Sequence, residues 1–229
     1  VSSNPSEASI SIIVKKPGST TIYYLFTVDG MSGNSGDFNY SEVDMTLDGG
    51  LGAINTNKNI LVFPDACEKI TAITHQNGID FWIVSRLENS NTYHSYLLTP
   101  SGFNMTPVIT NIGPIYNLDL GYLKAAPNGT KIAAANWITN SFELFDFNNN
   151  TGVLSNSLTH YTGDAYGLEF SPNSNILYVS EYYSGNIFQY NLGAGSNSAI
   201  TGSEILVGTT SPDNGGALQL ASDGKIYAC

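Results

Sequence analysis

The chain has 229 residues, 41% of them hydrophobic with 14 Tyr and 10 Phe, and carries 19 acidic against 8 basic side chains for a formal net charge of −11. That balance excludes nucleic acid as a partner, because affinity for phosphate backbones comes from clustered Lys and Arg, and only Lys15-Lys16 stand together. No apolar run approaches the ~18 residues of a membrane-spanning helix, so the chain reads as a soluble globular piece.

Taken in order, the chain alternates β-rich runs with tight turns. The turns are Pro17-Gly18-Ser19, Gln76-Asn77-Gly78, Pro127-Asn128-Gly129, Pro172-Asn173-Ser174 and Ser222-Asp223-Gly224, and their third residues are spaced by 59, 51, 45 and 50 positions. An all-strand repeat of that length predicts an all-β β-propeller, one four-stranded blade per repeat. The first blade is expected over 10–63, with strands near 11–16, 21–28, 39–46 and 59–63. The second covers 68–113, with strands near 70–75, 79–86, 92–99 and 108–112, and the third and fourth cover 121–161 and 165–208. A fifth begins at 216 and stops at 229 inside its second strand. The chain therefore reads as one partial propeller domain, a fragment of a ring that would hold seven blades when complete.

Aligning the turns produces columns. In the first strand Ile13, Ala72, Leu123, Leu168 and Leu218 coincide; in the third, Val43, Tyr96, Phe145 and Tyr190 do, with Met45, Leu98, Phe147 and Leu192 two places on. Period-two alternation puts each column on one sheet face, and these are expected to pack between blades. Between the first of these columns and the one two places on, Lys15, Thr74, Ala125, Phe170 and Leu220, runs a polar one, Lys124, Glu169 and Gln219, replaced by Val14 and Ile73 in the first two repeats.

Several segments taken in order resemble the propeller region of large secreted surface proteins of gliding, type IX-secreting bacteria (Bacteroidota): 16–29 (KPGSTTIYYLFTVD), 40–52 (YSEVDMTLDGGLG), 68–73 (EKITAI), 121–129 (GYLKAAPNG), 143–152 (ELFDFNNNTG) and 166–174 (YGLEFSPNS). Such proteins continue into immunoglobulin-like domains and a C-terminal sorting module, and the resemblance carries no catalytic motif. A looser likeness links 176–187 (ILYVSEYYSGNI) to WD-type, YVTN-type and lactonase-type propellers; that motif is structural and leaves the chemistry open.

Candidate chemistry is sparse. His75, His94 and His160 are dispersed and form no metal-ligand motif. Asp213-Asn214-Gly215-Gly216 lacks the oxygen-ligand spacing of a Ca²⁺ loop, and no Gly-x-Ser-x-Gly nucleophile motif is present. Cys67 and Cys229 fall at unrelated repeat positions, so no mutual disulfide is expected. No catalytic residue, metal or cofactor is assigned. Lys124, Glu169 and Gln219 are the candidate ligand-binding residues, since first strands line a propeller's channel; the simpler alternative is an interblade salt bridge between Lys124 and Glu169. Trp82 and Trp137 with Tyr182 and Tyr183 form either a sugar-stacking surface or interblade packing.

The start, Val1-Ser2-Ser3-Asn4-Pro5, shows no signal-peptide pattern. Uncharged polarity, with 25 Asn, and the resemblance both suggest an extracellular or cell-surface location. The expectation is a non-enzymatic binding or scaffold module for a protein or carbohydrate ligand. The rival is a lactonase-like or other hydrolytic propeller, which needs a metal or an acid/base cluster at the channel mouth; a third reading is a rigid spacer between adhesive domains.

Overall fold

The computed structural model describes residues 11–28, 36–117, 120–210 and 215–229. The expected blade start at Ile10 and the Asp213-Asn214 pair lie outside these residues. The described chain is all-β, with every strand pairing antiparallel.

The first sheet has nine strands: β1 (Ser11–Lys15), β2 (Ile22–Val28), β3 (Gly36–Asp44), β4 (Ala53–Ile54), β5 (Ile60–Thr74), β6 (Phe81–Leu87), β7 (Thr92–Thr99), β8 (Gly102–Phe103) and β9 (Val108–Asn111). A second is the meander β10 (Leu123–Ala125), β11 (Lys131–Asn136), β12 (Ser141–Asn148) and β13 (Val153–Tyr161). A third is the meander β14 (Ala165–Phe170), β15 (Ile176–Glu181), β16 (Asn186–Asn191) and β17 (Ile205–Thr209). The pair β18 (Leu218–Leu220) and β19 (Ile226–Ala228) forms the fourth.

The recurrent turns have one physical origin. Gly78, Gly129, Ser174 and Gly224 donate their N–H groups to the carbonyls of His75, Ala126, Ser171 and Ala221. All four sit at left-handed φ, between +62° and +79°, which glycine adopts without a Cβ penalty. In the same turns the side-chain oxygens of Asn77, Asn128, Asn173 and Asp223 accept the N–H two residues on, at 2.9 to 3.1 Å, closing Asx-turns. The first hairpin differs: its left-handed residue is Gly18, and Ser19 Oγ accepts from Thr21 and Ile22 instead.

Neighbouring sheets stack face to face, so the strands of the second sheet are buried on both sides. Along β11, Ile132 and Ala134 join Ile73, Trp82, Val84, Tyr93, Phe145 and Phe147 in one core. Ala133 and Ala135 join Leu168, Phe170, Leu177, Val179 and Tyr190 in the next. Three alanines in a row let neighbouring sheets approach closely, and each large side chain buried there contributes about 1.5–3 kcal/mol before entropy. First strands stand side by side, β1 by β5, β5 by β10, β10 by β14 and β14 by β18.

Two expectations are corrected. Ile13, Val43 and Met45 do not pack in the core: Ile13 is 67% and Met45 38% exposed, and Val43 is half-buried. They share the face of the first sheet that the described residues leave open, whereas Val14 on the opposite face packs with Ile70, Ile83 and Tyr96. The fourth strand of the first repeat and the first strand of the second are also not separate elements. The 15-residue β5 pairs with β3 and then with β6, and residues 64–69, with Asp65 at a left-handed φ of +59°, absorb the change of partner through register shifts. A short helix, α1 (Asn197–Thr201), is capped by Ser196, whose side chain accepts the Ala199 N–H.

Candidate functional site

Period-two alternation sends Leu123 and Leu168 into the cores and turns Lys124 and Glu169 the other way. As a result Lys124 Nζ lies 3.2 Å from Glu169 Oε2 and 3.0 Å from Gln219 Oε1. The three candidate residues, drawn from three neighbouring first strands, therefore meet. Glu169 is held further: Oε2 accepts the Leu220 N–H at 2.9 Å and Oε1 its neighbour Phe170 N–H at 2.9 Å. Gln219 Nε2 donates to the Leu220 carbonyl. The cluster is only partly dry, with the Lys124 and Glu169 side chains 17% and 6% exposed and Gln219 exposed. Val14 and Ile73, at the same repeat position, are buried in apolar cores, so the polar lining is one-sided.

Aromatic rings continue from this cluster. The Lys124 ammonium sits 5.7 Å from the centre of the Tyr122 ring. Tyr122 meets Tyr166 at 5.7 Å, Tyr166 meets Tyr182 at 5.5 Å, and Tyr182 meets both Trp137 at 5.5 Å and Tyr183 at 5.3 Å. The rings come from one end of the sheets: the segment entering β10, the start of β14, and the β11–β12 and β15–β16 hairpins. All are half-buried except Tyr183, which is 56% exposed. Burial pushes the Tyr122 hydroxyl above its ordinary range.

Trp82 does not belong to this strip. It is buried against His75 and Phe147, with Nε1 donating to the Asn149 carbonyl at 2.9 Å. The histidines stay apart: His75 lies against the Asn150 carbonyl, His94 against Phe63, and His160 against Phe142 and Glu204. Among the described residues no three His, Cys, Asp or Glu side chains gather in a metal-ligating group. Cys67 is buried and Cys229 exposed, and no disulfide joins them.

One cluster was not visible in the sequence. Arg86 Nη1 lies 3.4 Å from Glu143 Oε2, with side chains 1% and 0% exposed. The guanidinium also donates to the Ser90 and Pro114 carbonyls and lies over the rings of Tyr93 and Tyr116. Beside it the buried Lys69 donates to the carbonyls of Gly121 and Ala135. The partners are 52 to 66 residues apart, and no local motif announces them. A polar cleft of about 420 Å³ lies between the second and third sheets, lined by Lys131, Asp146, Asn156 and Ser196 over Leu144 and Leu158. Burial raises the Asp146 carboxyl, but hydrogen bonds from Asn156 and Lys131 outweigh it and hold the group below the usual range.

No protein-family model matches the chain, and no curated protein matches its sequence. Solved structures do share its fold. A protein described as a candidate 6-phosphogluconolactonase from Bacteroides fragilis superposes with a TM-score of 0.58 at 16% identity, over 99% of this chain and 65% of its own. The periplasmic gluconolactonase of Pseudomonas aeruginosa gives 0.55 at 12% identity, over 88% and 53%. Sqt1 of Chaetomium thermophilum gives 0.53 at 13% identity, over 88% and 50%. The chain thus spans less than two thirds of each of these proteins.

These neighbours correct the expectation that the chain lacks enzymatic activity, since two of them carry lactonase names. That expectation rested on missing short motifs. Opening a lactone asks for an acid/base group and a polar pocket assembled from distant strands, which no short motif reports. At such identities the likeness speaks for architecture, and the chain has a propeller-like, all-β fold.

Proposed function

We propose that the chain belongs to a lactonase-like hydrolytic propeller acting on a polar, sugar-derived lactone. The observation that carries this reading is the meeting of Lys124, Glu169 and Gln219, an ammonium, a carboxylate and an amide brought from three first strands to within 3.2 Å. In lactone opening a water oxygen bonds to the carbonyl carbon, negative charge gathers on the carbonyl oxygen, and the ring C–O bond then breaks. Lys124 uses two of its three donors on Glu169 and Gln219; the third would meet the developing oxyanion. Glu169 would take the proton of the attacking water and return it to the departing ring oxygen. Gln219 would orient the lactone's hydroxyls.

The test is proton release from glucono-1,5-lactone above its spontaneous rate. The chain is expected to accelerate it, and Glu169→Gln and Lys124→Met each to lower the catalysed rate by about 10²-fold or more. A wild-type rate equal to the spontaneous one overturns the reading. The extracellular or cell-surface location is likewise proposed, supported by the sparse charge and by the resemblance to secreted surface proteins. Protease accessibility on intact cells tests it, and complete protection argues against it.

A further inference from the structure

We propose that Tyr122, Tyr166, Tyr182, Tyr183 and Trp137 form a stacking platform for a neutral oligosaccharide, whose terminal unit it would deliver to the Lys124 cluster. The direction of delivery rests on the lactonase reading; the binding itself does not.

Five rings in unbroken contact, at 5.3 to 5.8 Å between centres, would be ordinary if they filled a core. These are half-buried, and Tyr183 is 56% exposed. Trp82 shows what a packing tryptophan looks like here: 5% exposed, its indole N–H satisfied, and its ring so close to Gly152 that an added Cβ would come within 2.8 Å of it. Trp137 has no such anchoring. Its indole N–H and the hydroxyls of Tyr122, Tyr182 and Tyr183 find no protein acceptor among the described residues, so these donors are available to a ligand. Rings with an apolar face and a polar tip suit the C–H faces and hydroxyl edges of pyranoses.

Ring geometry and charge narrow the class. Successive planes are inclined at 49° to 83°, so no parallel slot exists for a flat aromatic guest. Single-stranded nucleic acid also stacks on aromatic strips, but only where a basic groove follows its backbone. Here the flanking charges are Asp164, which accepts the Tyr183 N–H, and Glu181, which accepts from Thr162, Gly163 and Ser184. Lys124, the cation at the strip's end, is already matched by Glu169. Anionic polymers are therefore repelled, and a neutral glycan remains.

The chain has two tryptophans, and the buried Trp82 serves as an internal reference. Titrating with cellohexaose, maltohexaose, laminarihexaose and chitohexaose, read by tryptophan fluorescence and calorimetry, is expected to show saturable binding of at least one. Trp137→Ala and Tyr182→Ala should each weaken it about tenfold, while Trp137→Phe keeps the calorimetric affinity and loses the optical signal. Hydrolysis is read separately on glucono-1,5-lactone: hexasaccharide binding without turnover overturns only the lactonase reading, so failure of the two readings is separable. No binding by any hexasaccharide overturns the proposal. So does binding that survives both alanine variants in a folded protein, and so does preference for a thymidine hexanucleotide.

Discussion

Two seams of this molecule pair an acid with a base across neighbouring sheets, and they do so under different conditions. Arg86 and Glu143 meet out of reach of the surface, with side chains 1% and 0% exposed, and the guanidinium also bonds carbonyls and lies over rings. Lys124 and Glu169 meet at similar distance but remain reachable, and the ammonium is shared with an exposed Gln219. In the first seam a ligand has no place to enter. In the second, the partly exposed ammonium keeps a third donor that, on the lactonase reading, would meet the substrate oxygen. Burial, rather than the residue types, separates a structural ion pair from one suited to chemistry.

The strongest challenge to this comparison is Arg86→Met, which strands the Glu143 carboxylate in a dry site. We expect a loss of about 3–5 kcal/mol in urea unfolding, mostly restored when Glu143→Leu is added. A loss below about 1 kcal/mol would make the two seams equivalent. Next comes Gly167→Ala: the new Cβ would collide with Ser180 Oγ and the Gly216 carbonyl, forcing β18 away from β14. A cost of about 1–3 kcal/mol is expected, with lactone hydrolysis falling as Gln219 leaves Lys124. Retained turnover would remove Gln219 from the site.

Glu169→Gln should cost about 1 kcal/mol, because the amide oxygen can still accept the Leu220 N–H and the pair is partly solvated. If it costs as much as Arg86→Met, the Lys124 cluster is architectural. The smallest effect concerns acid. Burial against Phe63 and Tyr96 holds the His94 imidazole below its ordinary range. The unfolded chain therefore binds the proton more readily, so this contribution is present above the unfolded value of ~6.5 and is lost as pH falls through the folded one. His94→Gln should flatten the stability slope between about pH 7 and 5; an unchanged slope assigns it elsewhere.

What the sequence displayed were features that act locally. Asn77, Asn128, Asn173 and Asp223 close their own turns, and strand parity alone was enough to bring Lys124, Glu169 and Gln219 to one face. Parity does not say whether a face is covered, so it cannot tell the exposed Ile13 and Met45 from core residues. Nor does it survive a bulge: the register shift between Ala165 and Gly167 accompanies the placing of Tyr166 against Tyr122, so strand parity does not mark these two rings, whereas Trp137, Tyr182 and Tyr183 stand out in the sequence. The Arg86 and Lys69 contacts span more than 50 residues, and their parts have no spacing that sets them apart from surface charges.

The continuous β5 has a consequence for local opening. Its first part is bonded to β3 and its second to β6, so the first half of the chain cannot shed one ladder without straining the other. Amide hydrogen exchange there should proceed as a single cooperative event. Among the described residues no strand bridges β13 and β14 in this way; Thr162, Gly163 and Asp164 connect them, held by backbone bonds to Asn140 and Tyr182 and by side chains, with Glu181 accepting from Thr162 and the Gly163 amide and Asp164 from the Tyr183 amide. The protein can therefore breathe where the aromatic strip and Lys124 lie while the rest stays closed, and exchange at the Gly163 and Tyr183 amides should run ahead of that at Ile70 and Ile83.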